Sequence, residues 1–122
     1  MPAPEPLPAS SHHAVPAAAF HSIPGVPGLR LAHLGHQQDG RTLEVVEGMA
    51  GVILPAMTQP SAEHGRVLRG SVRFMQDGVV RDLVAGDAWD LPAETAQGPH
   101  MFLEDGTQVA ILRDGRSSFD LT

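Results

Sequence analysis

Cysteine, tyrosine, lysine and asparagine are missing from this chain, and each gap removes a class of chemistry. Without a thiol there is no disulfide framework, no thiolate zinc site and no cysteine nucleophile. Without lysine there is no Schiff base, and without tyrosine no phenolic acid. Aromatic residues are few: Phe20, Phe74, Trp89, Phe102 and Phe119 make up 4% of the chain. The core must therefore be built from Val, Leu, Ile, Ala and Met. All eight basic residues are arginine and the formal net charge is −6, which disfavours nucleic-acid backbones and anionic membranes as partners. No apolar run approaches the roughly 18 residues of a membrane-spanning helix. The first residues also lack the basic-then-apolar order of a secretory signal. The expected location is cytoplasmic.

What is present divides into a tail and a body. A length of 122 residues suits one domain with one core. Of the eleven prolines, seven fall within residues 1–27, together with Ala17-Ala18-Ala19 and the pair His12-His13. Such a segment favours extended, solvated backbone and has little apolar surface with which to offset its ordering entropy. Residues 1–28 are expected to be a flexible Pro/Ala-rich segment, with His12, His13 and His21 solvated. Residues 29–122 are expected to be the folded domain.

The body reads as strands and tight turns. Gly70, Gly78 and Gly86 are evenly spaced, and Val67 to Phe74 and Val79 to Val84 lie between them as β-rich runs. Asp77-Gly78 between two such runs predicts a hairpin with a type I′ turn, because both central residues of that turn need positive φ. Asp39-Gly40, Asp105-Gly106 and Asp114-Gly115 repeat the same chemistry. About eight short strands and no helical periodicity imply a sandwich or barrel. Walker and dinucleotide loops are absent, the serines have no nucleophile-elbow context, and the carboxylate pairs Asp87/Asp90 and Glu104/Asp105 stand beside no acid–base partner.

Two spacings carry a family resemblance. Gly51-(x5)-Met57-x-Gln59-(x3)-Glu63-(x6)-Gly70 resembles the first motif of the cupin superfamily, Gly-(x5)-His-x-His-(x3–4)-Glu-(x6)-Gly. Gly86-(x5)-Pro92, followed by His100, resembles the second, Gly-(x5)-Pro-x-Gly-(x2)-His. Val67-Leu68-Arg69-Gly70 is also similar to a Val-Leu-x-Gly signature of small single-domain cupins. The resemblance covers roughly residues 43–113. It implies an all-β, cupin-type antiparallel β-barrel (a jelly roll, or double-stranded β-helix) of the RmlC-like kind, a homodimer, and a pocket lined by Met57, Gln59, Glu63, Trp89, His100 and Phe102. It also implies a divalent metal ion (zinc, nickel, iron or manganese), with Glu63 and His100 as first ligands, Gln59 completing the set and His64 as rival.

The departures from the motifs bear on that metal. Met57 and Gln59 stand where the family has two histidines, and Glu94 stands at the glycine of the second motif. His100 lies three residues beyond its expected place. A thioether suits only soft ions and an amide oxygen binds weakly, so metal binding is expected to be weak or absent. Parity adds a constraint. Met57, Gln59 and Glu63 are odd, whereas Leu68, Gly70, Val72 and Phe74 are the even, apolar face of the next run. One inward face serves both only with a one-residue shift, and a bulge is expected at Gly65. Without it, His64 points inward and Glu63 outward.

Each candidate also has a purely structural reading. Glu63 can be an exposed ion-pair partner of Arg66, His100 a core or rim histidine, Met57 core filler and Gln59 a loop residue. Trp89 can be a core anchor rather than a pocket wall. His33 and His36 share no strand or helix spacing with a third ligand. Arg69, Arg73 and Arg81 are expected on a solvated outer face with Asp82. Three functions remain open: binding of a small polar molecule in the barrel with little or no metal; a metal-dependent dioxygenase, isomerase or decarboxylase using Glu63 and His100; and a structural or regulatory dimer with a vestigial pocket.

Overall fold

The computed structural model describes residues 19–36, 41–58 and 61–114. Most of the segment expected to be flexible and the candidate Gln59 lie outside these, as does the side chain of Met57. The described residues form twelve strands and no α-helix.

Six strands make the first sheet, in the order β1 (Phe20–Ser22), β2 (Leu29–His36), β3 (Arg41–Gly48), β12 (Thr107–Asp114), β6 (Glu63–Arg69) and β9 (Ala88–Leu91). The second runs β4 (Ile53–Leu54), β11 (His100–Phe102), β7 (Ser71–Gln76), β10 (Ala96–Gln97) and β5 (Met57–Thr58), with β8 (Val79–Val84) also paired to β7. Every pairing in both sheets is antiparallel. The expected barrel is open at the level of hydrogen bonding: among the described residues no ladder joins the two sheets into one cylinder. The folded part also begins before Leu29, since β1 pairs with β2 and Ile23 is buried in the core.

Alternation decides which side chains meet between the sheets. Leu29 and Leu31 on β2, Val46 on β3, Val109 and Ile111 on β12 and Val67 on β6 turn one way, toward Val72 and Phe74 of β7 and Phe102 of β11. Each side chain of this size contributes roughly 1.5–3 kcal/mol on leaving water. The opposite face of the first sheet packs a second group, Ala32, Leu43, Val45, Ala110 and Leu112, beneath Phe20 and Leu68.

The chain changes sheets between β6 and β7. There the parity conflict is resolved as expected but at a different residue. Gln108 pairs with Arg69 and Val109 with Val67, so the extra residue of the bulge is Leu68, not Gly65. Glu63, Gly65 and Val67 are buried before it, and Val72 and Phe74 after it. Gly65 stays in register with both Ile111 and Trp89. It is glycine because the Trp89 ring lies across it, and a Cβ there would collide with Cζ2 and Cε2 of the indole. The Asp77-Gly78 turn has φ of 53° and 77°, as a type I′ hairpin requires.

Candidate functional site

The register of the first sheet builds a polar row at one end of its inward face. Arg113 on β12 lies opposite Thr42 on β3 and Glu63 on β6. One row deeper, Ile111 lies opposite Glu44 and Gly65, and Glu44 opposite His33. Cross-strand neighbours share a face, so two carboxylates and a guanidinium point the same way as the apolar core.

Glu63 and Arg113 form a buried ion pair, 4% and 2% exposed. Arg113 Nη2 donates to Glu63 Oε1 at 2.6 Å, and Trp89 Nε1 donates to Glu63 Oε2 at 2.9 Å. Both carboxylate oxygens are thereby engaged by donors. The alternative reading of Glu63 as an exposed carboxylate does not hold, since it is buried and bonded to Arg113 and Trp89. The Nε and Nη1 atoms of Arg113 are fully buried and have no hydrogen-bond partner, and neither does Glu44 Oε1. Such groups are rare in folded proteins, because a buried donor or acceptor left unpaired is costly.

His100 approaches from the second sheet. The Met75 backbone N–H donates to its Nδ1 at 3.1 Å. An amide nitrogen can only donate, so Nδ1 carries the lone pair and Nε2 carries the proton. That proton is given to Gln97 Oε1 at 3.0 Å. The ring stacks on Phe74, centroids 4.2 Å apart and planes 11° apart. Burial removes water from the imidazole and pushes its pKa down to about 4, so the ring is neutral at pH 7.

These residues enclose one cavity, lined by Leu54, Glu63, Val72, Phe74, Trp89, Gln97, His100, Phe102, Val109, Ile111 and Arg113. It leaves about 40 Å³ for the centres of water-sized molecules, room for a few waters or one small organic group. A wider cleft of about 470 Å³, between Ser22, Val26, Leu29 and Met49 among others, has no buried unpartnered polar atom on its walls. The chemistry is concentrated in the small cavity.

Of the residues singled out from the sequence, Glu63, Trp89, His100 and Phe102 converge on this cavity. His64 does not. Its parity turns it to the other face, where it pairs with Asp90 at the surface. Gln59 and the Met57 side chain lie outside the described part, although the Met57 backbone pairs with Gln97. Arg113 and Gln97 were missed, and each had a signal. Arg113 continues the inward parity of Val109 and Ile111. Counting the second motif from Pro92 without an insertion brings its histidine position to Gln97.

The donor set fits a metal ion poorly. A histidine coordinates through a lone pair, and the only lone pair on His100 is taken by the Met75 N–H. Among the described residues no three His, Asp or Glu side chains gather as an ion would require.

No family model matches the chain, and no curated protein matches it in sequence. Solved structures do match in shape. The KdgF structure from a Halomonas species superposes with a TM-score of 0.73 at 22% identity, over 81% of this chain and 87% of that one. An RmlC-like cupin from Shewanella frigidimarina gives 0.70 at 21% identity, over 83% and 87%. Salicylate 1,2-dioxygenase from Pseudoaminobacter salicylatoxidans gives 0.64 at 16% identity, over 72% of this chain and 26% of that one. With the two facing antiparallel sheets and the sheet-changing β6–β7 segment, these likenesses identify the chain as a small domain of the RmlC-like cupin fold.

Proposed function

We propose that this protein binds a small molecule in the cavity between its sheets and holds it through protein groups rather than through a metal ion. One observation carries the reading. The groups that could ligate a metal are already spent, Glu63 on Arg113 and Trp89 and His100 on Met75 and Gln97. Gln97, Trp89 and Arg113 line the same cavity among its apolar walls. A mostly apolar pocket with a few convergent polar groups is the usual form of a small-molecule site. Two measurements test this: elemental analysis of the purified protein, and a thermal-shift screen of small metabolites with and without zinc or nickel. The reading expects a substoichiometric metal content and a metabolite that raises Tm without added metal. Stoichiometric metal lost on His100→Ala would defeat it.

A catalytic reading has one observation in its favour, the likeness to a structure named as a dioxygenase. That likeness reaches the fold alone, and a metal-dependent dioxygenase, isomerase or decarboxylase would need Glu63 or His100 released from its present partners. A second copy of the chain is the proposed partner. The exposed Val79, Val80 and Val84 of β8 support pairing there. No helix among the described residues is long and apolar enough to cross a membrane.

A further inference from the structure

Gln97 on β10 is a polar residue of the cavity wall whose hydrogen bonding is incomplete, and its neighbours decide which half of the amide is free. The Met75 N–H donates to Nδ1 of His100, so the ring proton sits on Nε2 and is given to Gln97. Of the two ends of the amide, only the oxygen can receive it. The amide is thereby oriented with Oε1 toward His100 and its NH2 group turned away. That group carries two N–H donors, and among the described residues nothing accepts from either. Gln97 is 6% exposed. Its nitrogen still meets open space, unlike Nε and Nη1 of Arg113, which are closed in on all sides. The side chain reaches inward to His100, and both residues line the cavity.

The other polar side chains on these walls are already engaged. Glu63 is bonded to Arg113 and Trp89, and both ring nitrogens of His100 are in use. The cavity therefore offers a free donor, and the molecule that completes it must bring an acceptor. Charge narrows the acceptor. Glu63 and Arg113 cancel one another, and burial keeps the His100 ring neutral at pH 7. An entering anion would meet no unpaired cation, and a buried charge without a partner is costly. The remaining walls are Leu54, Val72, Phe74, Phe102, Val109 and Ile111, which ask for an apolar body. A space of about 40 Å³ limits that body to a few heavy atoms.

Resting on the ligand-binding reading above, we propose that Gln97 selects the ligand, its NH2 group donating to the oxygen of a small uncharged carbonyl compound, a ketone or an aldehyde. The alkyl part packs on the phenylalanine rings. A carboxylate of the same planar shape brings a charge that the cavity does not balance.

The amide itself provides the readout. The chain has six glutamines and no asparagine, so a nitrogen-15 correlation spectrum contains six side-chain NH2 pairs, and Gln97→Glu identifies the Gln97 pair by its loss. The labelled protein is to be titrated at pH 7 with acetone and, separately, with sodium acetate. The expected result is a saturable shift of the Gln97 pair with acetone, the acetate affinity being at least tenfold weaker. Nuclear Overhauser contacts should join the acetone methyls to Phe74 and Phe102. Gln97→Glu keeps an oxygen for His100 but has no donor, and Gln97→Met has neither donor nor charge. Acetone affinity, followed through the backbone amides of the cavity walls, should fall tenfold or more in both. Circular dichroism and a single cooperative melt establish which variants fold. Acetate binding as tightly as acetone, or acetone affinity unchanged in a folded variant, overturns the proposal. Contacts to Thr58 and Asp77, in the outer groove that Gln97 also borders, overturn it as well. So does the absence of any acetone response. In that last case a screening hit of other chemistry leaves the ligand-binding reading standing, whereas a screen without hits removes both.

Discussion

At the scale of single residues, the inside of this protein is governed by two groups whose partners fix their states. Arg113 is held by Glu63, and removing it strands a carboxylate that is 4% exposed. Arg113→Met should therefore lose about 3–5 kcal/mol, the usual consequence of breaking a buried pair from one side. Replacing Glu63 by methionine as well should recover most of that loss. Urea unfolding of the two variants checks this, and a single-variant loss under about 1 kcal/mol would place the pair in a surface-like environment. His100 makes a different prediction. Its folded pKa of about 4 lies below the ordinary 6.5. Above the ordinary value both folded and unfolded imidazoles are neutral and stability is independent of this group. Between the two values only the unfolded chain takes up the proton, so stability falls as pH falls, by about 2–3 kcal/mol in all. His100→Gln should flatten the curve of Tm against pH between those limits; a curve unchanged by the substitution would rule the effect out. Glu63 and His100 were readable because motif spacing singles them out. Arg113 was not, because an arginine at the end of an apolar strand reads as surface unless its cross-strand neighbour is known, and that neighbour is 50 residues away.

At the scale of elements, local chemistry was legible and long-range register was not. The Asp77-Gly78 hairpin follows from two adjacent residues that tolerate positive φ, and Gly78, at φ 77°, should lose about 1–2 kcal/mol on substitution by alanine. The β6 bulge was expected because two runs of opposite parity had to share one face. Its position was misjudged because glycine favours bulges in general. Here Gly65 serves the indole instead, and the irregularity falls at Leu68, whose side chain packs against the outer cluster. Gly65→Ala should therefore act through packing. It should displace Trp89, weaken the indole bond to Glu63 and cost about 1–3 kcal/mol. Denaturant melts together with a red shift of tryptophan emission would report it; an unshifted emission maximum would mean that the ring had not moved.

For the whole molecule, two facing sheets were legible from turn spacing and alternation, while the open edges were not, since edge hydrogen bonding leaves no mark on composition. One such edge, β8, exposes Val79, Val80 and Val84 and is where a second copy is proposed to pair. Val80→Arg should convert a dimer to a monomer by light scattering at micromolar concentration with little change in the circular dichroism spectrum. A dimer that survives the change would locate the interface elsewhere. A different consequence follows from the place of β12. Among the described residues it is the last strand in chain order, yet it sits in the middle of the first sheet between β3 and β6 and supplies Val109, Ile111 and Arg113 to the interior. During synthesis, β1–β3 and the β6–β9 pair emerge first as two halves with a gap between them. Neither half can complete the sheet until β12 has emerged to pair with β3 and β6. Folding of this domain is therefore a late event rather than a progressive one, governed by contacts distant in sequence and correspondingly slow. A nascent chain stalled before residue 107 should remain protease-sensitive within β2, β3 and β6, strands that are protected once β12 is in place.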